Sequence, residues 1–214
     1  MSAVKDFRAR QGLFYLPEAK TRLNRGVEHM PERNKRNWVH ALLAVLLLAA
    51  GAFNFPADAA KAMPRLAPEF THNEAEAWLN SAPLSLKTLQ GRVVMIDFWT
   101  FDCWNCYRSF PWLHQLEQRL SDAPFSVIGV HTPEFEHERQ KGRLQDKVKE
   151  YGLSHPIMID NDFSYWNAVG SRYWPSFFLI DKQGMIRASF IGQINIGSPQ
   201  ARNIEQTIDT LLAE

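Results

Sequence analysis

Cysteine is scarce in this chain: Cys103 and Cys106 are the only two among 214 residues. That number excludes a disulfide-stapled small scaffold and a four-cysteine zinc site. Net charge is equally small, because 24 basic residues face 23 acidic ones. With no basic surplus there is no footprint for a nucleic-acid partner, and none is expected. Twelve prolines and eleven glycines are too few for a low-complexity chain. Long apolar runs are missing as well, with one exception at Trp38–Ala52. What is present, 45% hydrophobic and 22% charged residues, suffices for one well-buried core with a small appendage.

The near-neutral total hides an asymmetry. Residues 1–59 hold nine basic and five acidic side chains, which leaves 15 basic and 18 acidic for the rest. The basic stretch PERNKRN precedes the apolar run WVHALLAVLLLAAGA, and Ala57-Asp58-Ala59 follows as an A-x-A pattern. That order reads as the n-, h- and c-regions of an export signal. The charge-free segment 37–57 also approaches the length that spans a bilayer, so an uncleaved anchor is the rival reading. Both readings put the later residues outside the cytoplasm, with membrane contact only through residues 38–57 if the segment is retained. Residues 1–37 are then a basic tail and 38–59 a signal or anchor. The first 29 residues read either as a cytosolic tail or as an upstream extension of the reading frame, since a start at Met30 gives an ordinary signal length.

From residue 60 onward the pattern is that of one α/β domain, residues 60–214. After a Pro/Ala-rich connector, WLNSAPLSLKTLQG predicts a short strand and a one-turn helix. VVMIDFWT, rich in β-branched and aromatic residues, predicts a central strand buried on both faces. Phe110, Leu113, Leu116 and Leu120 recur at helical spacing behind the cysteines. FSVIGV and HPIMID read as strands, and PEFEHERQKGRLQDKVKEYG between them as a single charged helix with Leu144 and Val148 inward. FSYWNAVG predicts a small helix. YWPSFFLID and MIRASFIG, divided by a turn at 181–184, predict an antiparallel hairpin. ARNIEQTIDTLLAE predicts an amphipathic closing helix. The order βαβαβ then ββα predicts a mixed sheet flanked by helices.

Cys103-Trp104-Asn105-Cys106 stands between the buried strand and the helix. At a helix start, unpaired amides and the helix dipole favour a thiolate on the first cysteine. The second, one turn along, can attack a mixed disulfide. Half a zinc site is the usual rival, but the seven histidines are scattered away from the pair. A purely structural disulfide is a second rival, although so short a loop constrains the unfolded chain little.

The run WTFDCWNCYRSFP resembles the WT-x-x-C-x-N-C-x-R-x-x-P signature of extracytoplasmic TlpA/ResA-like members of the thioredoxin superfamily. The resemblance covers about residues 67–213 and implies a thioredoxin-like fold. It implies that Asp97 is the buried carboxylate assisting proton transfer to the resolving thiol, with its pKa raised by burial. Trp99 then packs below the site, Pro111 kinks the helix, and Pro175 is a cis-proline facing the disulfide. Gly192 lies beside that surface, and Trp104, Asn105 and Trp174 line a substrate groove.

This chain departs from common thioredoxins in having Asp102 before the first cysteine and Trp-Asn between the pair. Asp102 and Arg108 are candidate modulators through mutual electrostatics, as are His131 and Glu134 in the segment GVHTPEFEHE. The expected function is periplasmic thiol-disulfide exchange with protein cysteines, requiring no metal or organic cofactor but a partner that recycles the pair. Two rivals are a thiol peroxidase, built on Thr100 three residues before Cys103 with Arg108, and a binding or chaperone module using exposed Trp104 and Trp174.

Overall fold

A computed structural model describes residues 64–214. The expectations for the basic tail and for the signal or anchor at 38–59 lie outside the described residues. Among the described residues, no helix is long and apolar enough to cross a membrane.

Among the described residues, seven strands form one mixed sheet: β1 (Arg65–Leu66), β2 (Trp78–Leu79), β3 (Val93–Trp99), β4 (Phe125–His131), β5 (Ile157–Ile159), β6 (Ser176–Ile180) and β7 (Met185–Ile191). Their spatial order is β1-β7-β6-β3-β4-β5-β2. The strand expected to be buried on both faces is the central one, and all seven of its residues are buried. It runs parallel to β4, with Asp97 opposite Gly129, and antiparallel to β6, with Asp97 opposite Phe177. β6 and β7 form the expected antiparallel hairpin.

Alternation along β3 divides the core. Val93, Met95 and Trp99 face one layer of helices: α1 (Trp104–Arg119), α2 (Lys141–Glu150) and α4 (Pro199–Ala213). Val94, Ile96 and Phe98 face the other side, where α3 (Ser164–Val169) supplies Tyr165, Trp166 and Val169. The N-terminal segment closes that second face with Ala67, Phe70 and Trp78. Each large side chain removed from water in this way contributes about 1.5–3 kcal/mol, which is why a strand apolar on both faces sits at the centre.

Two expectations are corrected. The charged segment after β4 is not one helix: a 3-10 turn at Glu136–Arg139 precedes α2, and Gln140 between them is extended. The cause is Glu138, whose buried carboxylate accepts the backbone N–H groups of Glu134 and Phe135 at 2.6 and 2.7 Å. The Pro/Ala-rich stretch at 61–70 is not a connector throughout either, because Arg65 and Leu66 pair with Ile186 and Met185 as an edge strand.

Candidate active site

The site is built at the end of β3. Asp97 and Trp99 belong to the strand, and the chain turns through Thr100, Phe101 and Asp102 before Cys103 caps α1. Cys103 has the extended backbone of a helix cap, and its sulfur accepts the N–H of Cys106 at 3.2 Å. The cysteines are joined as a disulfide with Cα atoms 5.2 Å apart. They differ in access: Cys103 is half-buried, whereas Cys106 is 1% exposed. An incoming thiolate therefore meets Cys103 first.

Asp97 is buried on the helix-bearing face, and burial pushes its carboxyl up to about 7, opposed by His155 and reinforced by Glu117. Trp99 lies beneath the turn, edge-on to Phe110 and to His131. Pro111 is an exposed residue within α1. The Trp174–Pro175 peptide is cis. Continuing the β3–β6 register places Pro175 opposite Trp99, at the strand end from which the cysteine loop leaves. Gly192, with φ of +93°, donates its N–H to the Pro175 carbonyl at 2.9 Å. Only glycine takes that backbone angle without strain.

The groove residues separate into two groups. Trp104, 66% exposed, stacks on Tyr107 and with Cys103, Phe101, Asp102 and Tyr151 lines a hollow of about 350 Å³. Asn105 is exposed, and its carbonyl accepts the Ser109 hydroxyl. Trp174 does not form an exposed landing surface with Trp104. Its ring stacks on Trp166 at 4.3 Å and its indole N–H donates to the Thr132 carbonyl at 3.0 Å. Trp166 itself fills core space.

The modulators also rearrange. Asp102 pairs with His137 at 2.5 Å rather than with Arg108, which is exposed. Arg108 points from the outer side of α1, one turn past the helix start, while the 3-10 turn brings His137 to the loop. His131 is fully buried, stacked on Phe101, and desolvation holds its imidazole down at about 3, so it is neutral. Glu134 is exposed and contributes only its backbone N–H to Glu138.

Glu138 is the carboxylate that sequence reasoning missed. Besides the two amides already named, it accepts the Thr100 hydroxyl at 2.5 Å and the Asp102 N–H at 3.1 Å, tying the cysteine loop to the loop after β4. The Thr100 hydroxyl is thereby committed to Glu138, while Arg108 is exposed on α1. Tyr151 adds a second tie, donating its hydroxyl to the Phe101 carbonyl at 3.0 Å. Neither residue stands out among the charged and aromatic positions of its segment.

A group of His72, Asp160 and Asp162 has metal-ligand proximity on the opposite face. Asp160 is already saturated by the N–H groups of Tyr165 and Trp166 and the hydroxyls of Thr132 and Ser164. That carboxylate is a cap for α3.

Residues 61–208 match the family model for Redoxin. Protein DipZ of Mycobacterium bovis is 40% identical over 119 residues, which are 54% of this chain and 17% of that protein. The chain thus spans under a fifth of that curated relative's length. Thiol-disulfide oxidoreductase ResA of Halalkalibacterium halodurans is 31% identical over 159 residues, covering 72% of this chain and 86% of that protein. A crystal structure of a thioredoxin-like superfamily protein superposes with a TM-score of 0.61 at 27% identity, covering 70% of this chain and 97% of the other.

Proposed function

Because the chain belongs to the Redoxin family, and its thioredoxin-like fold carries the CxxC pair of an oxidoreductase, we propose that it exchanges disulfides with protein cysteines outside the cytoplasm. The observation that carries this reading is the unequal access of the two sulfurs, with Cys103 reachable at a helix start and Cys106 buried. Amide donors and the helix dipole stabilise negative charge on Cys103 once the pair is reduced. Its thiolate attacks a client disulfide, forming a mixed disulfide and releasing one client thiolate. Cys106 gives its proton to the Asp97 carboxylate and attacks Cys103, which releases the second client thiolate and closes the intramolecular disulfide. Two electrons pass from the pair to the client, and the reverse sequence oxidises a client dithiol.

Pro175, with Gly192 holding its carbonyl, presents the edge against which a client backbone aligns. Trp104 and Tyr107 offer an apolar rim beside Cys103. Residues 38–59 serve as export signal or anchor in this reading, supported by the basic-then-apolar order, and residues 60–214 are the exported domain.

The test is a redox titration in glutathione buffers, with thiol labelling of Cys103 and Cys106 as the readout. A potential near or below about −270 mV identifies an extracytoplasmic reductant fed by an electron donor, and one near about −120 mV a disulfide donor. A pair that cycles at no poise overturns the proposal.

A further inference from the structure

Between Asp97 and the protein surface lies a cluster that the exchange reaction as described does not use. Gly129 stands opposite Asp97 on the neighbouring strand. A Cβ at that position would lie 3.0 Å from Trp99 Nε1 and 3.1 Å from His155 Nε2. Those two nitrogens and Asp97 Oδ1 are buried and have no hydrogen-bond partner within the protein. Three orphaned polar atoms at one spot in a core are costly unless something joins them.

Their hydrogen-bond types are complementary to one water molecule. His155 Nδ1 lies 3.0 Å from Glu117 Oε1, and a carboxylate only accepts, so Nδ1 carries a hydrogen, and in the neutral imidazole Nε2 is then an acceptor. Trp99 Nε1 can only donate. A water accepting from Trp99 and donating to Asp97 and His155 would make three hydrogen bonds, the usual number for a buried water. The outer end of the chain of contacts reaches solvent: the His155 side chain is 3% exposed and that of Glu117 24%. The loop carrying His155 is held from outside by Asn80, whose side-chain amide donates to the carbonyls of Leu153 and His155.

We propose that Gly129 keeps open a water site joining Asp97 to His155, and that His155 and Glu117 form the route by which the Asp97 proton exchanges with solvent. The proposal rests on the oxidoreductase reading above. When the cysteine pair is oxidised by a client, Asp97 takes the Cys106 proton and must release it from a core closed to water. The water passes a proton to His155 Nε2, Nδ1 passes its own to Glu117, and Glu117 releases it to solvent. When the pair is reduced again, one proton moves inward along the same atoms and restores the starting tautomer. The groups facing Asp97 agree with a single route: α1 brings Glu117, the β5 approach brings His155, and β4 and β6 place Gly129 and Phe177 opposite. His155 and Glu117 are thus positioning residues that act through Asp97.

The experiment is rapid-quench mass spectrometry of the reduced full chain with oxidised glutathione as probe, resolving formation of the Cys103 mixed disulfide from its closure by Cys106. In His155→Ala, formation stays within about twofold of wild type while closure slows about tenfold or more, less than the roughly 10²–10⁴-fold of a general base lost outright because Asp97 remains. Added imidazole then restores closure in proportion to its concentration, which repair of a merely structural defect would not do. Glu117→Gln, on the exposed side of the pair, slows closure and flattens its rise with pH. Closure at the wild-type rate in Glu117→Gln, or in a folded His155→Ala without imidazole rescue, overturns the relay. If His155→Ala fails to fold, Glu117→Gln decides alone. A wild-type chain that never forms the mixed disulfide refutes the exchange reaction itself, a result distinct from either variant behaving as wild type.

Discussion

Glu138 and Glu134 are four residues apart in one charged segment, yet they have opposite environments. The side chain of Glu138 is buried and accepts from the Thr100 hydroxyl and three backbone amides, whereas Glu134 is exposed. Replacing Glu138 by Ala strips the acceptor from those donors, each worth about 1–3 kcal/mol if left unpaired. Water reaching part of the loop lowers the sum, so the expected loss is about 3 kcal/mol. Glu134→Ala leaves the backbone bond intact and should stay within about 0.5 kcal/mol of wild type. Urea unfolding of the two variants checks the contrast, and equal midpoints would refute it. Glu134 and not Glu138 is the modulator expected from the sequence, although nothing local distinguishes them. Which glutamate turns inward depends on the 3-10 turn, and that turn exists because the carboxylate finds its donors. Asp97 is the opposite case: VVMI before it and FW after it fix its burial from the chain alone.

At the scale of elements, α1 is the piece that must not move, because it carries Cys106 and is capped by Cys103. Its N-terminal turn is fastened by Ser109, whose hydroxyl donates to the Asn105 carbonyl and accepts the Ile194 N–H, each at 2.9 Å. Further along, the Trp112 indole donates to Glu205 of α4 at 2.8 Å. Ser109→Ala leaves the buried Ile194 amide unpaired, at an expected cost of about 1–2 kcal/mol. The urea midpoint should fall with no change in the slope, and exchange of the Ile194 amide should accelerate more than that of amides in β3. Uniform acceleration would instead mean a global effect with no local fastening. The helix itself is legible from its 3–4 spacing of apolar residues. Its fastening is not, because Ser109 and Ile194 meet across 85 positions of sequence. The strands show the same division. β3, β4 and the β6–β7 hairpin announce themselves by composition, but β1 has two residues and exists only as a partner to β7.

At the scale of the whole molecule, two buried groups set opposing dependences of stability on pH. Burial raises Asp97 from 3.8 to about 7, so between those values the folded chain holds a proton that the unfolded chain has lost. Its contribution is complete below pH 3.8 and disappears as pH rises through 7, by about 4 kcal/mol if the full shift applies. Burial lowers His131 from 6.5 to about 3, so there the unfolded chain binds the extra proton. Its contribution is complete above pH 6.5 and is lost as pH falls towards 3. The two slopes oppose each other between about pH 4 and 6.5, and above that window the Asp97 loss continues, joined by that of His72, whose imidazole burial lowers but Glu74, Asp162 and Asp160 raise on balance. Asp97→Asn removes the Asp97 component and leaves that of His131. Thermal melts of the disulfide-bonded chain, in which no thiol titrates, should then show a variant equal to wild type near pH 4. Its advantage should grow through pH 7 to a few kcal/mol at pH 8. The same substitution should slow closure of the mixed disulfide by Cys106, because the base is gone. A stability gain independent of pH would mean that Asp97 does not change charge across this range, and the carboxylate would lose its assignment as the proton acceptor for Cys106.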